Sequence, residues 1–229
     1  MDARATIKDM ILPFKILISP LKTFKQLARE PRSKGLISLS ALILVVTAAA
    51  LYASATKIDL DINGQQTSFL VTDAFNGWFA SNFASSAVSI LLYWLIFASG
   101  LALISKTFGG KEVSWRVMFL GLAYLLSVFI ILYAVRAAMY LALPSLYFSN
   151  SSWPPMGEDQ VNAALDLITK NWGPLYAYQF LTFFPLVVFA WLVMLGAIAV
   201  KTLREVSWAK AIAVSVIGFT VTLLLFGLP

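Results

Sequence analysis

Asp59-Leu60-Asp61-Ile62-Asn63-Gly64 begins as a calcium-binding loop begins, with oxygen-bearing side chains at alternate positions and then a turning glycine. The twelfth position of such a loop carries a bidentate glutamate, and here it is Leu70, so the ligand that completes the cage is missing. The same residues read better as a hairpin. Ile58, Leu60 and Ile62 alternate with Asp59 and Asp61, and Asn63-Gly64 is a strong two-residue turn signal. Arg136 is the second candidate, a lone charge inside the apolar run Val117–Leu143. It follows Arg116 by about 30 Å of helix, which places it near a membrane face. There it can snorkel to water or meet a carboxylate such as Asp73 or Asp166, a structural rather than a chemical role. Other chemistry lacks its parts. With no cysteine and no histidine, thiolate chemistry, the usual neutral-pH acid–base group and the commonest metal ligand are all excluded. A serine–lysine dyad needs a lysine within a span, and no apolar run contains one. Gly109-Gly110 is an isolated pair that serves as a turn rather than as a phosphate loop. None of the apolar runs contains Asp or Glu, so proton-coupled transport lacks its relay group. These residues point to no catalytic site, no metal and no cofactor.

The elements that carry them are membrane spans. The chain has 229 residues, 60% of them hydrophobic and 12% charged, against about 25% charged in an ordinary soluble domain; its mean hydropathy is +0.82. That much apolar surface must face lipid. Runs Leu36–Thr56, Ala74–Ser105, Val117–Leu143, Leu175–Val200 and Ala211–Pro229 each reach the length of a transmembrane helix. The polar residues Asn76, Ser81 and Asn82 move the second span toward Phe83–Ile104. None of the runs alternates as a barrel strand does. The fold class expected is therefore all-α integral membrane, with five helices over about 36–55, 83–104, 117–139, 175–200 and 210–228. Residues 1–35 form a separate amphipathic region ahead of the 36–229 membrane domain. The first 30 residues carry no signal-peptide apolar core, so the first span is expected to target the chain and to remain in the membrane.

Charge orients the spans. Arg4, Lys8, Lys15, Lys22, Lys25, Arg29, Arg32 and Lys34 precede the first; Lys106, Lys111 and Arg116 join the second to the third; Lys201, Arg204 and Lys210 join the fourth to the fifth. The opposite connections hold only Lys57 and Lys170, among Asp59, Asp61, Asp73, Glu158, Asp159 and Asp166. Basic loops stay in the cytoplasm, so the N-terminus is expected inside and the C-terminus outside. The net charge of +6 thereby belongs to the membrane and not to a nucleic acid.

Ile7, Met10, Ile11, Phe14, Leu17 and Ile18 recur at helical spacing, with Pro13 expected to kink or split that helix. Ser19 offers an N-cap and Pro20 a first helical position; Leu21, Phe24, Leu27 and Ala28 line one face of the next helix, Lys22, Lys25 and Arg29 another, and Glu30-Pro31 ends it. A basic amphipathic helix before a first span is expected in the headgroup layer, held by anionic lipid, or docked on a cytoplasmic partner. On the far side, Trp153-Pro154-Pro155 precedes a helix from Glu158 to about Asn171 whose apolar face is Val161, Leu165, Ile168 and Trp172; Gly173-Pro174 stops it. Asn150-Ser151-Ser152 is a glycosylation sequon. Small residues (Ala98, Ala102, Gly121, Ala209, Ala213 and Gly218) permit close helix approach, and Pro185 is expected to kink the fourth span.

The two cytoplasmic connections echo each other. Lys106-Thr107 is followed by Lys111-Glu112-Val113-Ser114-Trp115, and Lys201-Thr202 by Arg204-Glu205-Val206-Ser207-Trp208. Each copy joins an outside-to-inside span to an inside-to-outside one, which implies a parallel repeat of two helical hairpins. Ser114 and Ser207 read as N-caps, and Trp115 and Trp208 as interfacial aromatics. Lys22, Phe24, Lys25, Arg29, Lys111, Trp115, Arg204 and Trp208 are the candidate contacts to the membrane surface or to a partner, with Arg136 as the intramembrane charge.

Ser19-Pro20-Leu21-Lys22-Thr23-Phe24 through Glu30-Pro31, Phe108-Gly109-Gly110-Lys111 before the third span and Arg204-Glu205-Val206 before the fifth, set in a five-span, N-inside topology, resemble the Yip family of Ypt/Rab-interacting membrane proteins. The resemblance covers nearly the whole chain. It implies a non-enzymatic helical membrane scaffold or adaptor that acts through protein partners or by organising membrane, with a small GTPase or other membrane proteins as partners and oligomers allowed. The compact form is similar to prokaryotic members, which implies the cell membrane; eukaryotic members work at the Golgi and endoplasmic reticulum. The alternative that the residues leave open is a small transporter or channel component with a path between the two hairpins.

Overall fold

The computed structural model describes residues 3–30, 33–148 and 158–226. The helix stop at Pro31, the sequon Asn150-Ser151-Ser152, the Trp153-Pro154-Pro155 segment and the terminal Pro229 lie outside the described residues. In chain order the elements are α1 (Ala3–Ile18), α2 (Pro20–Arg29), α3 (Lys34–Ala55), β1 (Ile58–Ile62), β2 (Gln65–Ser68), α4 (Asp73–Thr107), α5 (Trp115–Ala123), α6 (Ser127–Ala142), β3 (Leu146–Phe148), α7 (Glu158–Trp172), α8 (Tyr176–Arg204) and α9 (Trp208–Phe226). Five helical stretches, Gly35–Ala55, Asp73–Thr107, Trp115–Ala142, Tyr176–Arg204 and Trp208–Leu225, are long and apolar enough to cross a membrane. The second begins about ten residues earlier than the expected start at Phe83, because Asn76 and Asn82 continue the helix; Asn82 Nδ2 donates to the Trp78 carbonyl 2.8 Å away.

The chain divides into two compact units, one of Met1–Leu44, Val88–Ile131 and Val187–Pro229, the other of Val45–Ala87 and Leu132–Leu186. In the first, the core is aromatic. Tyr93 meets Phe129 edge-on at 6.2 Å between ring centres and Phe189 at 5.7 Å, and Phe219 lies 6.3 Å from Phe97 and 6.0 Å from Phe189. Glycines set how near the helices come. A Cβ on Gly196 would strike Ser215 Oγ and Phe97, and one on Gly218 would press on Leu101. Ala98 and Ala102 are fully buried, as small packing residues should be, but Ala209 faces outward, and Ala211 and Val214 are buried in its place.

The third span is broken where its sequence gives no warning. Tyr124–Leu126 form a 3₁₀ turn between α5 and α6. Such a turn frees main-chain carbonyls, which lipid cannot satisfy. The Leu122 and Tyr124 carbonyls still accept main-chain N–H groups, and side chains add to them: Trp94 Nε1 donates to the Leu122 carbonyl at 3.1 Å and Ser127 Oγ to the Tyr124 carbonyl at 2.7 Å.

The N-terminal helices also differ from their sequence pattern. α1 runs through Pro13 and ends at Ile18 instead. From Ile11 to Ile18, Leu12, Pro13 and Ile16 are buried, while Ile11, Phe14 and Ile18 on the expected apolar stripe are exposed. At these three positions the stripe therefore faces outward. Ser19 occupies the N-cap position of α2 and Pro20 opens the helix, but the Ser19 side chain makes no capping bond; Thr23 Oγ1 donates to the Ser19 carbonyl at 2.9 Å.

In the second unit the expected hairpin forms. β1 and β2 pair antiparallel, with Ile62 opposite Gln65, and Asn63 and Gly64 take φ of 56° and 79°, the left-handed pair that a type I′ turn needs. Asp61 Oδ1 accepts from the Gly64 N–H at 2.7 Å, so this carboxylate caps the turn. The helical expectation is incomplete here, because β3 adds a third strand parallel to β1 in the order β2-β1-β3. Ile58, Leu60, Leu146 and Phe148 place their side chains in one core with Phe69, Ala164 and Trp172. α7 has the expected bounds and only part of its expected face turns inward: Trp172 is buried with Ala164 and Ile168 packs against them, but Val161 and Leu165 are exposed. Trp172 Nε1 fixes the helix end by donating to the Pro144 carbonyl at 3.0 Å. α8 continues through Pro185 without a break in the helix.

Candidate functional site

The two echoing loops are built on each other. α4 ends at Thr107, where the Gly109 N–H caps the Lys106 carbonyl at 3.3 Å. Gly109 and Gly110 follow at φ of 74° and 107°, conformations that favour glycine. α8 ends at Arg204, and Glu205 takes the left-handed position that glycine commonly fills after a helix, with φ 55°. This arrangement brings the strands of the two loops side by side. The Lys111 N–H donates to the Arg204 carbonyl at 2.7 Å, and Arg204 Nη1 reaches back to the Lys111 carbonyl at 3.4 Å. Lys210 Nζ donates to the Phe108 carbonyl at 3.0 Å. A Cβ on Gly110 would collide with the Arg204 carbonyl and with Val206, so close approach and backbone conformation both demand glycine there.

Lys111 Nζ and Glu205 Oε1 lie 2.9 Å apart, with side chains 62% and 63% exposed. Water screens such a pair to about 0–1 kcal/mol. The main-chain bonds and the glycine contact therefore hold the loops, and the ion pair sets which charges face outward.

Local geometry repeats in the two copies. Ser114 Oγ accepts from the Val117 N–H and Ser207 Oγ from the Lys210 N–H, each at 3.4 Å. Lys106 Nζ lies 4.5 Å from the centre of the Trp115 ring and Lys201 Nζ 5.2 Å from that of Trp208. Both indoles are more than two-fifths exposed, and each lysine is held over an aromatic face by cation–π attraction.

Two recesses result. One, of about 740 Å³, gathers Lys25 and Arg29 of α2 with Lys111, Lys201, Thr202, Glu205 and Trp208, beside Leu21 and Ala28. Four of the sequence candidates, Lys25, Arg29, Lys111 and Trp208, thus meet in one groove. The Thr202 hydroxyl within it is buried without a hydrogen-bond partner. The other recess, of about 760 Å³, is lined by Trp115 and Arg204 with Lys106, Glu112, Val113, Ser114 and the glycine pair. Lys22 is exposed beside Lys25 and Arg29 on the rim of α2.

Two candidates stand elsewhere than their sequence role required. Phe24 is fully buried and Leu27 nearly so: these two pack on the protein, next to α1 and α5, while Leu21 and Ala28 of the same apolar face are exposed with the basic residues. Arg204 is 6% exposed and works as an internal strut. Arg136, in the second unit, meets no carboxylate among the described residues; its guanidinium lies 5.5 Å from the centre of the Tyr133 ring. Lys106 and Lys201 were legible as members of the repeated block, Lys210 only as a loop cation and Gly110 only as half of a turn pair, which gives spacing but not contact.

Cations, hydroxyls and exposed indoles equip this surface for holding an anionic or acidic group. No curated protein and no solved structure matches the chain. A family model, that of the Yip1 domain, matches residues 14–228. The match therefore takes in the paired loops, α2 and all five apolar helices, and this multi-pass membrane protein belongs to the Yip1 domain family.

Proposed function

We propose that the protein is a non-enzymatic membrane adaptor whose partner face is the groove between α2 and the paired loops, set on the cytoplasmic side. The observation that carries this reading is the meeting of Lys25, Arg29, Lys111, Lys201 and Trp208 in one groove. An exposed indole among cations, on a rigid base, is the composition of a binding hot spot. An acidic protein surface is its complement. The basic loops support the inside placement, and the matched Ser-cap and Lys–Trp geometry of the two copies supports a parallel repeat of hairpins. A transport path is the weaker reading, since Gly196, Gly218, Phe97 and Leu101 close the seam between α4, α8 and α9 at their level. The Yip1 family is not known for enzymatic activity.

The test is affinity capture from native membrane in mild detergent, with the intact chain beside a Lys25→Glu, Arg29→Glu, Trp208→Ala variant and a Lys170→Glu control. The adaptor reading expects a recurrent membrane protein or small GTPase that is lost from the triple variant and kept by the control. Partners that are indifferent to the triple variant, or none at all, would overturn it.

A further inference from the structure

The recess beside the groove has a different chemistry. Arg204 is more than nine-tenths buried, and its Nε has no hydrogen-bond partner. Among the described residues its side chain makes one hydrogen bond, the long one from Nη1 to the Lys111 carbonyl, and no carboxylate pairs with it. Glu205, next in sequence, is committed to Lys111 instead. A buried guanidinium normally has its donors filled and its charge matched. This one lines an open recess of about 760 Å³.

The other walls are suited to an anion. Lys106 stands at the rim, steadied over the Trp115 ring. The Ser114 hydroxyl oxygen accepts from the Val117 N–H, so its proton remains to donate. The helix that begins at Trp115 opens at this recess, with Ser114 and Trp115 in its lining, which brings the positive end of the helix dipole beside it. Gly109 and Gly110 leave the main chain open to close approach. Glu112 is the opposing charge in the lining. The exposed indole at the start of an apolar span also puts the recess at the depth of lipid headgroups.

We propose that this recess binds a phosphate group, either the phosphodiester or monoester of an anionic lipid headgroup or a soluble phosphate of the same chemistry. Arg204 and Lys106 neutralise it, and Ser114 and the helix start donate hydrogen bonds. The site uses none of the groove residues Lys25, Arg29 or Trp208, so it goes beyond the adaptor reading and stands or falls separately.

Native mass spectrometry of the full chain in detergent, with phosphatidylcholine, phosphatidylglycerol and phosphatidic acid added in equal amounts, tests it. Equilibrium dialysis against inorganic phosphate and glycerol phosphate forms the second arm. The expected result is a retained anionic-lipid adduct, or a saturable soluble-phosphate site, weakened about tenfold by Lys106→Gln and at least as much by Arg204→Gln, since each removes a charge-assisted bond. Glu112→Gln should strengthen it severalfold. Arg204 is buried and its loss can loosen the loops; Lys106 and Glu112 are exposed, and their opposite effects keep the test decisive. A lipid adduct that inorganic phosphate does not displace identifies the membrane phosphate as the source. Soluble binding without lipid preference identifies a free phosphate. No anion preference in either arm, or binding indifferent to all three substitutions, overturns the proposal. Lys25→Glu with Arg29→Glu should leave this binding intact, which separates it from any failure of the partner groove.

Discussion

Replacing Phe24 by alanine is expected to release α2 from the protein while leaving the spans folded. Phe24 is wholly buried, and Leu27 and Thr23 are the other buried residues of this ten-residue helix. A helix so short does not hold itself together in water, so packing must order it. Removing a buried phenyl ring costs about 3–5 kcal/mol. At 1.4 kcal/mol per factor of ten, that lowers the protection of α2 amides by about two to almost four orders of magnitude, up to the point where the helix is fully released. Hydrogen exchange in nanodiscs of neutral phosphatidylcholine reads the change, because neutral lipid offers the basic face of α2 no electrostatic hold. Amides in the middle of α8 serve as the internal standard and should not move. If α2 amides of the Phe24→Ala variant exchange as slowly as before, the helix is ordered by the bilayer and not by the protein. The buried face would then not be what fixes Lys25 and Arg29 in the groove.

Three further outcomes follow from the geometry. Gly110→Ala places a Cβ against the Arg204 carbonyl and Val206 at a φ of 107°; a left-handed conformation alone costs an L-residue about 1–2 kcal/mol, so the variant should melt several degrees lower in a detergent thermal-shift assay, and an unchanged midpoint would refute the loop pairing. Trp94→Phe removes the donor to the Leu122 carbonyl and should cost about 0.6–1.7 kcal/mol in a steric-trap or denaturant titration, with no loss expected if the 3₁₀ turn is not present in the membrane. The absence of cysteine makes single-cysteine labelling clean. An impermeant maleimide applied to intact cells should label Gln66→Cys but label Gln26→Cys only after the cells are opened, and the reverse pattern would invert the assigned orientation.

The spans were legible because their signal is bulk hydropathy, which tertiary packing cannot overrule in lipid. The hairpin was legible because Asn63-Gly64 specifies its turn locally. What failed to show was which side of an amphipathic element faces protein. In α1, apolar residues surround the helix, so Ile11, Phe14 and Ile18 made as good a stripe as Leu12 and Ile16, and periodicity alone cannot choose between them. In α7 the buried positions include Ala164, too small to stand out beside Val161 and Leu165. β3 escaped notice for a related reason: three residues, Leu146-Tyr147-Phe148, alternate correctly but fall below the length at which alternation signals a strand. The 3₁₀ turn at Tyr124–Leu126 has no sequence marker of its own, and the side chain that braces the carbonyl before it, Trp94, lies some thirty residues away in the chain.

The repeated block was legible in sequence, and its parts were given sound local roles as caps and interfacial aromatics. The capping role holds for Ser114 and Ser207, yet caps and interfacial aromatics explain neither the glutamates nor the glycines. Contact between the copies does. Glu112 and Glu205 are equivalent in the alignment of the two blocks, but only Glu205 takes the left-handed turn and reaches across to Lys111. Its equivalent is left in the wall of the recess with Lys106 and Arg204. The two-residue insertion around Gly109-Gly110 has a matching reason: without a glycine at φ 107° the first loop could not approach the Arg204 carbonyl. A block that recurs for capping alone would remain symmetric. The asymmetry arises because one copy must fold over the other, and that overlap is what produces both the basic groove and the recess with an unmatched arginine.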